Sequence, residues 1–119
     1  MKNGVDIVDI SRLKKLNLDL FLNKYFSKRE IEYINSKHCA LQTIAGMFSA
    51  KEAFLKAVGI GIGNGINLKE IEILHSDIGQ PYIDITPQIN YYINAQNCSS
   101  ISLSISHDGE YAVAFCIIF

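Results

Sequence analysis

A run of about twenty residues with helical periodicity constrains the fold of this chain more than any other feature. It extends from about Cys39 to Val58 and is followed by Gly59, a residue type that commonly ends helices. Small side chains recur on one face of this helix, at Gly46, Ala50, Ala53 and Ala57. Because such a face lets another backbone approach closely, we expect a second element to pack tightly against it.

The rest of the chain predicts strands and shorter helices around the long helix. Residues 4–10 form an apolar strand that we expect to be covered on both faces. Further helices are expected at 17–25, 27–36 and 86–97, and further strands at 68–74, 82–85, 100–106 and 111–119. The predicted fold class is α+β: one domain, residues 1–119, with a small, mainly antiparallel sheet packed against one long helix and several short ones.

Charge and composition narrow the classes of function. Between Arg12 and Arg29 lie six basic residues and one acidic residue, although the net charge is −1. This patch suits an acidic partner, or it is a solvated helix face; without interleaved aromatic residues it does not suggest nucleic acid. No stretch has the apolar length of a membrane span, and three scattered cysteines indicate a reducing, cytoplasmic setting. The apolar fraction of 49% is high for this size and favours an oligomer.

Two acidic residues are the candidates for chemistry. Asp6 interrupts the apolar strand, and Glu52 lies in the middle of the long helix. Mg²⁺ needs only one or two protein carboxylates when water and phosphate oxygens complete its shell, so these two acids are sufficient if the helix crosses the strand. The alternative for Glu52 is a surface ion pair with Lys56 at i,i+4.

Glycines and a histidine add candidate ligand contacts. The segment from Gly59 to Gly65 follows the helix instead of preceding it and does not match the usual nucleotide-binding loops. It is either a helix cap with a turn or a place where a large ligand lies close to the backbone. His107 ends the apolar face of a strand, where it is either a structural group or a phosphate or sugar contact.

Several motifs together resemble the holo-acyl-carrier-protein synthase family, the small bacterial 4′-phosphopantetheinyl transferases. They cover nearly the whole chain in order: Gly4-Val5-Asp6-Ile7, the run from Phe48 to Lys56, the Gly59–Gly65 loop, Gly79-Gln80-Pro81-Tyr82, and Leu103-Ser104-Ile105-Ser106-His107. The resemblance implies the 4′-phosphopantetheinyl transferase fold and assembly as a homotrimer with active sites between subunits.

The resemblance also implies an activity. Phosphopantetheine would be transferred from coenzyme A to a serine of apo-acyl carrier protein, releasing adenosine 3′,5′-bisphosphate and supporting fatty acid biosynthesis. Asp6 and Glu52 would bind Mg²⁺ at the pyrophosphate. Lys56 is the expected phosphate contact, and Lys51 is a second candidate. The base that deprotonates the serine stays open between Glu52 and a metal-bound water.

Further contacts follow from the same resemblance. One subunit would grip coenzyme A through residues 52–63, and its neighbour through the regions of Pro81 and His107. The expected contacts in the first segment are Gly59, Gly61 and Gly63, besides Lys51 and Lys56. The basic residues Arg12, Lys14 and Lys15 would dock the acidic carrier protein. Met47 and Gln80 replace basic residues common in the family, which changes the expected surroundings of the 3′-phosphate or adenine.

Two other classes of function are compatible with the same chain. A non-catalytic module could bind coenzyme A or an acidic protein without transferring anything, and it would not need both Asp6 and Glu52. A purely structural trimer would not bind coenzyme A.

Overall fold

One long helix lies across a three-stranded antiparallel sheet, with shorter helices and a two-stranded sheet around them. The structure, a computed structural model, describes residues 1–61 and 65–119. The helices are α1 (Ile10–Leu13), α2 (Leu18–Tyr25), α3 (Lys28–Asn35), α4 (Ala40–Val58), α5 (Pro87–Asn94) and a 3-10 helix (Leu68–Glu70). The strands are β1 (Lys2–Asp9), β2 (Ile73–His75), β3 (Pro81–Ile83), β4 (Ile101–Asp108) and β5 (Tyr111–Ile118). The α+β prediction is therefore confirmed.

The larger sheet has the order β1-β5-β4, and both of its strand pairs are antiparallel. The last strand, β5, is apolar and lies in the centre of this sheet. Asp6 pairs with Ala114, which pairs in turn with Ile105. Because side chains alternate along a strand, these three residues share the face that packs on α4.

Local signals in the sequence account for the ends of the helices. The Ser27 hydroxyl accepts from Glu30 N and the Glu30 carboxylate accepts from Ser27 N, which forms a capping box at the predicted start of α3. Thr86 caps α5 by accepting from Ile89 N, and Pro87 occupies the first helical position, which favours proline. Gly59 ends α4 with φ 77° and ψ 23°, a left-handed conformation that favours glycine.

The helix and the sheet approach closely at two glycines. A Cβ built at Gly4 would overlap the Ala53 carbonyl oxygen and lie 2.7 Å from Ala57 N. At the other end of the contact, a Cβ at Gly46 would lie 2.8 Å from His107 Nε2. The face of α4 with small side chains therefore packs against the sheet, as its sequence predicts.

One predicted strand was wrong, and the expected covering of β1 is seen on one face only in the single chain. Residues 68–74 form a 3-10 helix and a short strand, because a buried ion pair takes the Leu68 and Ile71 carbonyls and the Ile73 amide. Strand β1 is covered on one face only within the single chain. Val5 and Ile7, on its other face, are 53% and 64% exposed.

Candidate active site

The two candidate acids meet where β1 crosses α4. Asp6 lies on the face of β1 that packs on α4, and Glu52 lies on the side of α4 next to that strand. Both side chains line one cleft of about 370 Å³. The aromatic rings of Phe21 and Phe48 and the charged side chain of Arg12 line the same cleft. The structure thus brings together two carboxylates that are far apart in the sequence.

Lys56 lies beside this pair of acids. Its Nζ is 3.0 Å from Asp6 Oδ1 and donates to the Val5 carbonyl oxygen at 2.9 Å. The Lys56 side chain stays 55% exposed, so it borders both Asp6 and solvent. Among residues 1–61 and 65–119, its ion pair is with Asp6 and not with Glu52, so the alternative surface pair within the helix is not formed.

The Glu52 carboxylate is partly buried and lies close to the negative charge of Asp6. Partial burial raises the pKa of its carboxyl group, the negative charge of Asp6 raises it further, and Lys56 lowers it. A cation shared by both carboxylates would relieve this repulsion. The donors are hard oxygen atoms beside a cleft open to water and phosphate, which fits a Mg²⁺ ion held by one or two carboxylates.

Lys51 is buried in the core, which contradicts the expectation that it contacts a ligand. Its side chain is fully buried and its Nζ is 2.7 Å from Glu30 Oε1. The same Nζ donates to the carbonyl oxygens of Leu68 at 2.8 Å and Ile71 at 2.9 Å, which uses all three of its donors. Burial lowers the pKa of Lys51, and Glu30 offsets part of that change. Sequence reasoning missed this pair because adjacent helix positions face different surroundings, Lys51 the core and Glu52 the cleft.

The glycine loop begins directly after α4. Gly59 and Gly61 are exposed, and Gly59 is one residue beyond the helix that carries Glu52 and Lys56. Gly63 lies outside the described residues. The described glycines are therefore accessible to a ligand that reaches beyond Lys56.

The candidates Pro81 and His107 lie together in a second site. They line a cavity of about 190 Å³ with Gly46 and the buried Met47 of α4. This cavity shares no lining residue with the acidic cleft. Because Gly46 precedes Glu52 by six residues, the two sites lie about 9 Å apart along the helix. Gln80 is exposed next to Pro81.

Sequence reasoning missed two aromatic groups in this second cavity. The His75 ring stacks on Tyr33 with a centroid distance of 4.0 Å and an interplanar angle of 7°. Both residues line the cavity that contains His107. Burial lowers the pKa of His75, and the nearby Lys37 lowers it further. The only signal in the sequence was a histidine at the end of a short apolar strand, which is common in structural positions.

The basic residues of the proposed docking patch are exposed. Arg12 lies in α1, Lys14 is the C-cap of that helix, and Lys15 follows. Asp9 caps the start of α1 by accepting from Ser11 N at 3.0 Å. Because Arg12 also lines the acidic cleft, the basic patch continues to the edge of the candidate active site.

Comparison with known proteins defines the class. The family described as the 4′-phosphopantetheinyl transferase superfamily matches residues 3–116, and the chain belongs to this superfamily. Within it, the relatives are holo-[acyl-carrier-protein] synthases. That of Finegoldia magna is 42% identical over 118 residues, which cover 97% of this chain and 92% of the relative. That of Geotalea daltonii is 39% identical over 118 residues, covering 97% and 94%.

Solved structures agree with this placement. The holo-[acyl-carrier-protein] synthase of Neisseria meningitidis has a TM-score of 0.88 and 30% identity, covering 99% of this chain and 97% of that one. The Helicobacter pylori enzyme, solved in complex with coenzyme A, has a TM-score of 0.84 and 33% identity, covering 98% and 99%. The resemblance found in the sequence motifs is confirmed. Within residues 1–61 and 65–119, no helix is both long and apolar enough to cross a bilayer.

Proposed function

We propose that this protein transfers 4′-phosphopantetheine from coenzyme A to a serine of apo-acyl carrier protein, with residues 1–119 acting as one domain. The observation that carries the proposal is the meeting of Asp6 and Glu52 in one cleft, beside Lys56 and the start of the glycine loop. The curated relatives act as holo-[acyl-carrier-protein] synthases, and one solved relative binds coenzyme A.

The reaction is a phosphoryl transfer. The serine hydroxyl gives its proton to a base, for which Glu52 and water are the candidates, and its oxygen forms a bond to the β-phosphorus. The bond from that phosphorus to the bridging oxygen breaks, and adenosine 3′,5′-bisphosphate leaves. Lys56 offers an exposed ammonium group at the edge of the cleft, so it can contact a pyrophosphate oxygen. Phe21 and Phe48 make one wall of the cleft apolar, which suits the uncharged pantetheine arm.

Asp6 and Glu52 are the residues that would hold Mg²⁺. When bound, this ion supplies positive charge against the negative charge that develops on the pyrophosphate. No group of three or more metal-ligating side chains occurs among the described residues. A site with two carboxylates is nevertheless typical of Mg²⁺, which keeps water and substrate oxygens as its other ligands.

The proposed assembly is a homotrimer with sites between subunits. Within one chain, the acidic cleft and the cavity of Pro81 and His107 are separate, so each is suited to hold a different part of coenzyme A. Val5, Ile7 and Phe115 make the β1–β5 part of one face of the larger sheet apolar and exposed, and a neighbouring subunit would cover it. Coenzyme A would then contact Gly59, Gly61, Gly63 and Lys56 of one subunit, and Pro81 and His107 of the next.

The partner is an acidic carrier protein docked on Arg12, Lys14 and Lys15. These three cations are exposed, and Arg12 connects the patch to the cleft where the serine must react. We place the reaction in the cytoplasm, in the supply of carrier protein for fatty acid synthesis. All three cysteines are free thiols, which is typical of a reducing compartment.

One experiment tests reaction class and metal requirement together. Apo-acyl carrier protein is incubated with the enzyme, coenzyme A and Mg²⁺, with and without a chelator, and its mass is measured. The proposal expects a gain of one phosphopantetheine group that is lost with chelator and lost when the target serine is replaced by alanine. Binding of coenzyme A without any mass gain would instead support a binding module and overturn the proposed function.

A further inference from the structure

The buried ion pair between Lys51 and Glu30 joins four parts of the fold that surround the proposed coenzyme A site. Lys51 belongs to α4, and its Nζ holds carbonyl oxygens of Leu68 and Ile71 as well as the carboxylate of Glu30. The other carboxylate oxygen of Glu30 accepts from Ile73 N at 2.9 Å. One pair of charged groups therefore joins four elements: α4, which carries Glu52, the start of α3, the 3-10 helix and strand β2.

The stability of the chain alone does not explain this arrangement. Removing two charges from water is costly, and apolar pairs of similar volume often replace a buried ion pair without loss of stability. The pair does something that apolar side chains cannot do, because it holds particular backbone atoms at hydrogen-bonding distance. Both side chains are 0% exposed, so they hold these atoms without contacting solvent or ligand.

The backbone groups that the pair holds lie next to proposed ligand contacts. Leu68 follows the glycine loop, so Lys51 fixes the chain where that loop returns to the core. Ile73 begins β2, which pairs with β3 and places Pro81 opposite His75. One buried lysine therefore sets the end of the glycine loop and the strands of the second cavity relative to α4.

We propose that Lys51 is a positioning residue for coenzyme A, acting through Glu30 and the backbone of residues 68–73 without touching the ligand. This inference rests on the proposed function. A loss of Lys51 releases the backbone at Leu68, just after the glycine loop, and the β2–β3 pair, both next to proposed coenzyme A contacts, but leaves the exposed docking patch in place. The effect should therefore fall on the KM for coenzyme A and not on the KM for carrier protein.

The test uses the full-length enzyme in its native assembly. Lys51→Met is expected to raise the KM for coenzyme A by about tenfold or more, because small displacements of ligand-positioning groups are costly. The KM for carrier protein should stay unchanged, and hydrogen exchange of residues 66–75 should become faster. Lys69→Met, which removes an exposed lysine from the 3-10 helix, is the matched control and should leave both KM values and the exchange unchanged.

A double variant provides the rescue. The double variant Glu30→Gln, Lys51→Met leaves no charge on this buried pair. The new amide can accept from the backbone N–H and donate to the backbone carbonyl oxygens that the pair held. It should return the KM for coenzyme A to within about threefold of wild type and slow the exchange again. If Lys51→Met does not fold, Glu30→Gln alone should raise the KM for coenzyme A, although that side chain is fully buried.

Two results would overturn the inference. An unchanged KM for coenzyme A in folded Lys51→Met, with only the active fraction reduced, would show that the pair merely stabilises the fold. A raised KM with unchanged hydrogen exchange at 66–75 would show that Lys51 does not act through the backbone of residues 68–73. Neither result affects the proposed function, which fails only if the wild-type enzyme does not transfer phosphopantetheine.

Discussion

Residues that are adjacent in this sequence have different tasks in the structure. Lys51 and Glu52 differ by about 100° around α4, so one enters the core and the other the cleft. Lys56, one turn beyond Glu52, reaches across to Asp6 at 3.0 Å. The chemical identity of each side chain was visible in the sequence, whereas its partner was not.

Replacing Glu52 by glutamine should separate activity from stability. We expect Glu52→Gln to lower the rate of transfer by about a hundredfold or more, because it removes a charged oxygen ligand. Burial and Asp6 raise the pKa of Glu52, so its ionised form destabilises the fold above its ordinary pKa of 4.5. In chelator at neutral pH, the melting temperature of the variant should therefore equal or exceed that of wild type.

The control for this variant is Glu32→Gln, which changes an exposed carboxylate of α3. It should keep wild-type turnover. Rates are measured by mass spectrometry of the carrier protein, and stability by thermal unfolding. Turnover close to wild type in Glu52→Gln would contradict the assignment of this residue to the active site.

The stacked histidine should make stability depend on pH. Burial lowers the pKa of His75 below its ordinary value of 6.5, so the unfolded chain takes up a proton at a higher pH than the folded chain does. As the pH falls through about 6.5, wild type should therefore lose stability relative to His75→Phe, which keeps an aromatic ring on Tyr33. Urea unfolding of both proteins across the range from about pH 8 to 5 measures the difference. A difference that does not change with pH would contradict this prediction.

At the scale of elements, the contact between β1 and α4 decides whether the acidic pair forms. Gly4 and Asp6 lie on the same face of β1, because side chains alternate along a strand. Gly4 lets the strand approach the backbone of α4 near Ala53 and Ala57. The close approach of β1 to α4 at Gly4 therefore sets the distance between the carboxylates of Asp6 and Glu52. Asp6 lies two residues beyond Gly4, and Glu52 lies next to Ala53.

Gly4→Ala should disturb both stability and activity. Its Cβ would meet the Ala53 carbonyl and the Ala57 amide, which are backbone atoms that cannot move separately. We expect a loss of about 1–3 kcal/mol in the free energy of unfolding, together with slower transfer as Asp6 moves away from Glu52. The unfolding free energy is measured in urea, and the rate with saturating substrates.

Gly46→Ala is the matched control on the other glycine of the same contact. Its Cβ would meet the side chains of Ile105 and His107, which can move. It should destabilise the protein less than Gly4→Ala does. Equal losses for both variants would mean that the backbone approach at Gly4 has no special role.

The short helix α1 should act on the carrier protein only. We expect Arg12→Glu with Lys15→Glu to raise the KM for carrier protein by about tenfold or more, because two attractive contacts become repulsive. The KM for coenzyme A should change much less. Steady-state kinetics with each substrate varied in turn measure both values. A KM for carrier protein equal to that of wild type would mean that the patch is only a solvated face.

At the scale of the whole molecule, the single chain carries two separate candidate sites, the acidic cleft and the cavity of His107. They lie on different parts of α4, and an apolar patch of β1 and β5 remains exposed on the larger sheet. Assembly around a threefold axis would place the two sites from different subunits side by side. The chain alone would then be folded but incomplete as an enzyme.

Mixed trimers test this arrangement. Glu52→Gln and His107→Ala are each expected to be poorly active alone, and equal mixtures refolded together should recover about a quarter of the sites in random C3 assemblies. Recovery occurs because some interfaces combine an intact Glu52 with an intact His107. Turnover of the mixture is compared with that of the separate proteins. No recovery in mixtures that contain both subunits would place each site within one chain.

The sequence by itself determined the local structure and the chemistry available to the chain. The Gly59 cap, the capping box at Ser27 and the Thr86-Pro87 start each act over a few residues, so the end of α4 and the starts of α3 and α5 could be predicted accurately. The end of α5 lies at Asn94, three residues before the expected end, because no such signal follows that helix. The motifs around Asp6 and Glu52 also identified the superfamily. Each motif is weak singly, but together, in this order along the chain, they are specific.

The tertiary structure decided which groups meet. The Lys51–Glu30 pair binds backbone groups of residues 68–73, which therefore do not form the predicted strand. Lys56 pairs with Asp6 and not with Glu52 on its own helix. Such contacts join residues tens of positions apart, and their energies depend on burial and distance, which periodicity along the chain does not encode. A charged residue in a helix can pair at the surface or enter the core, and only the packing of α4 on its neighbours selected between the two.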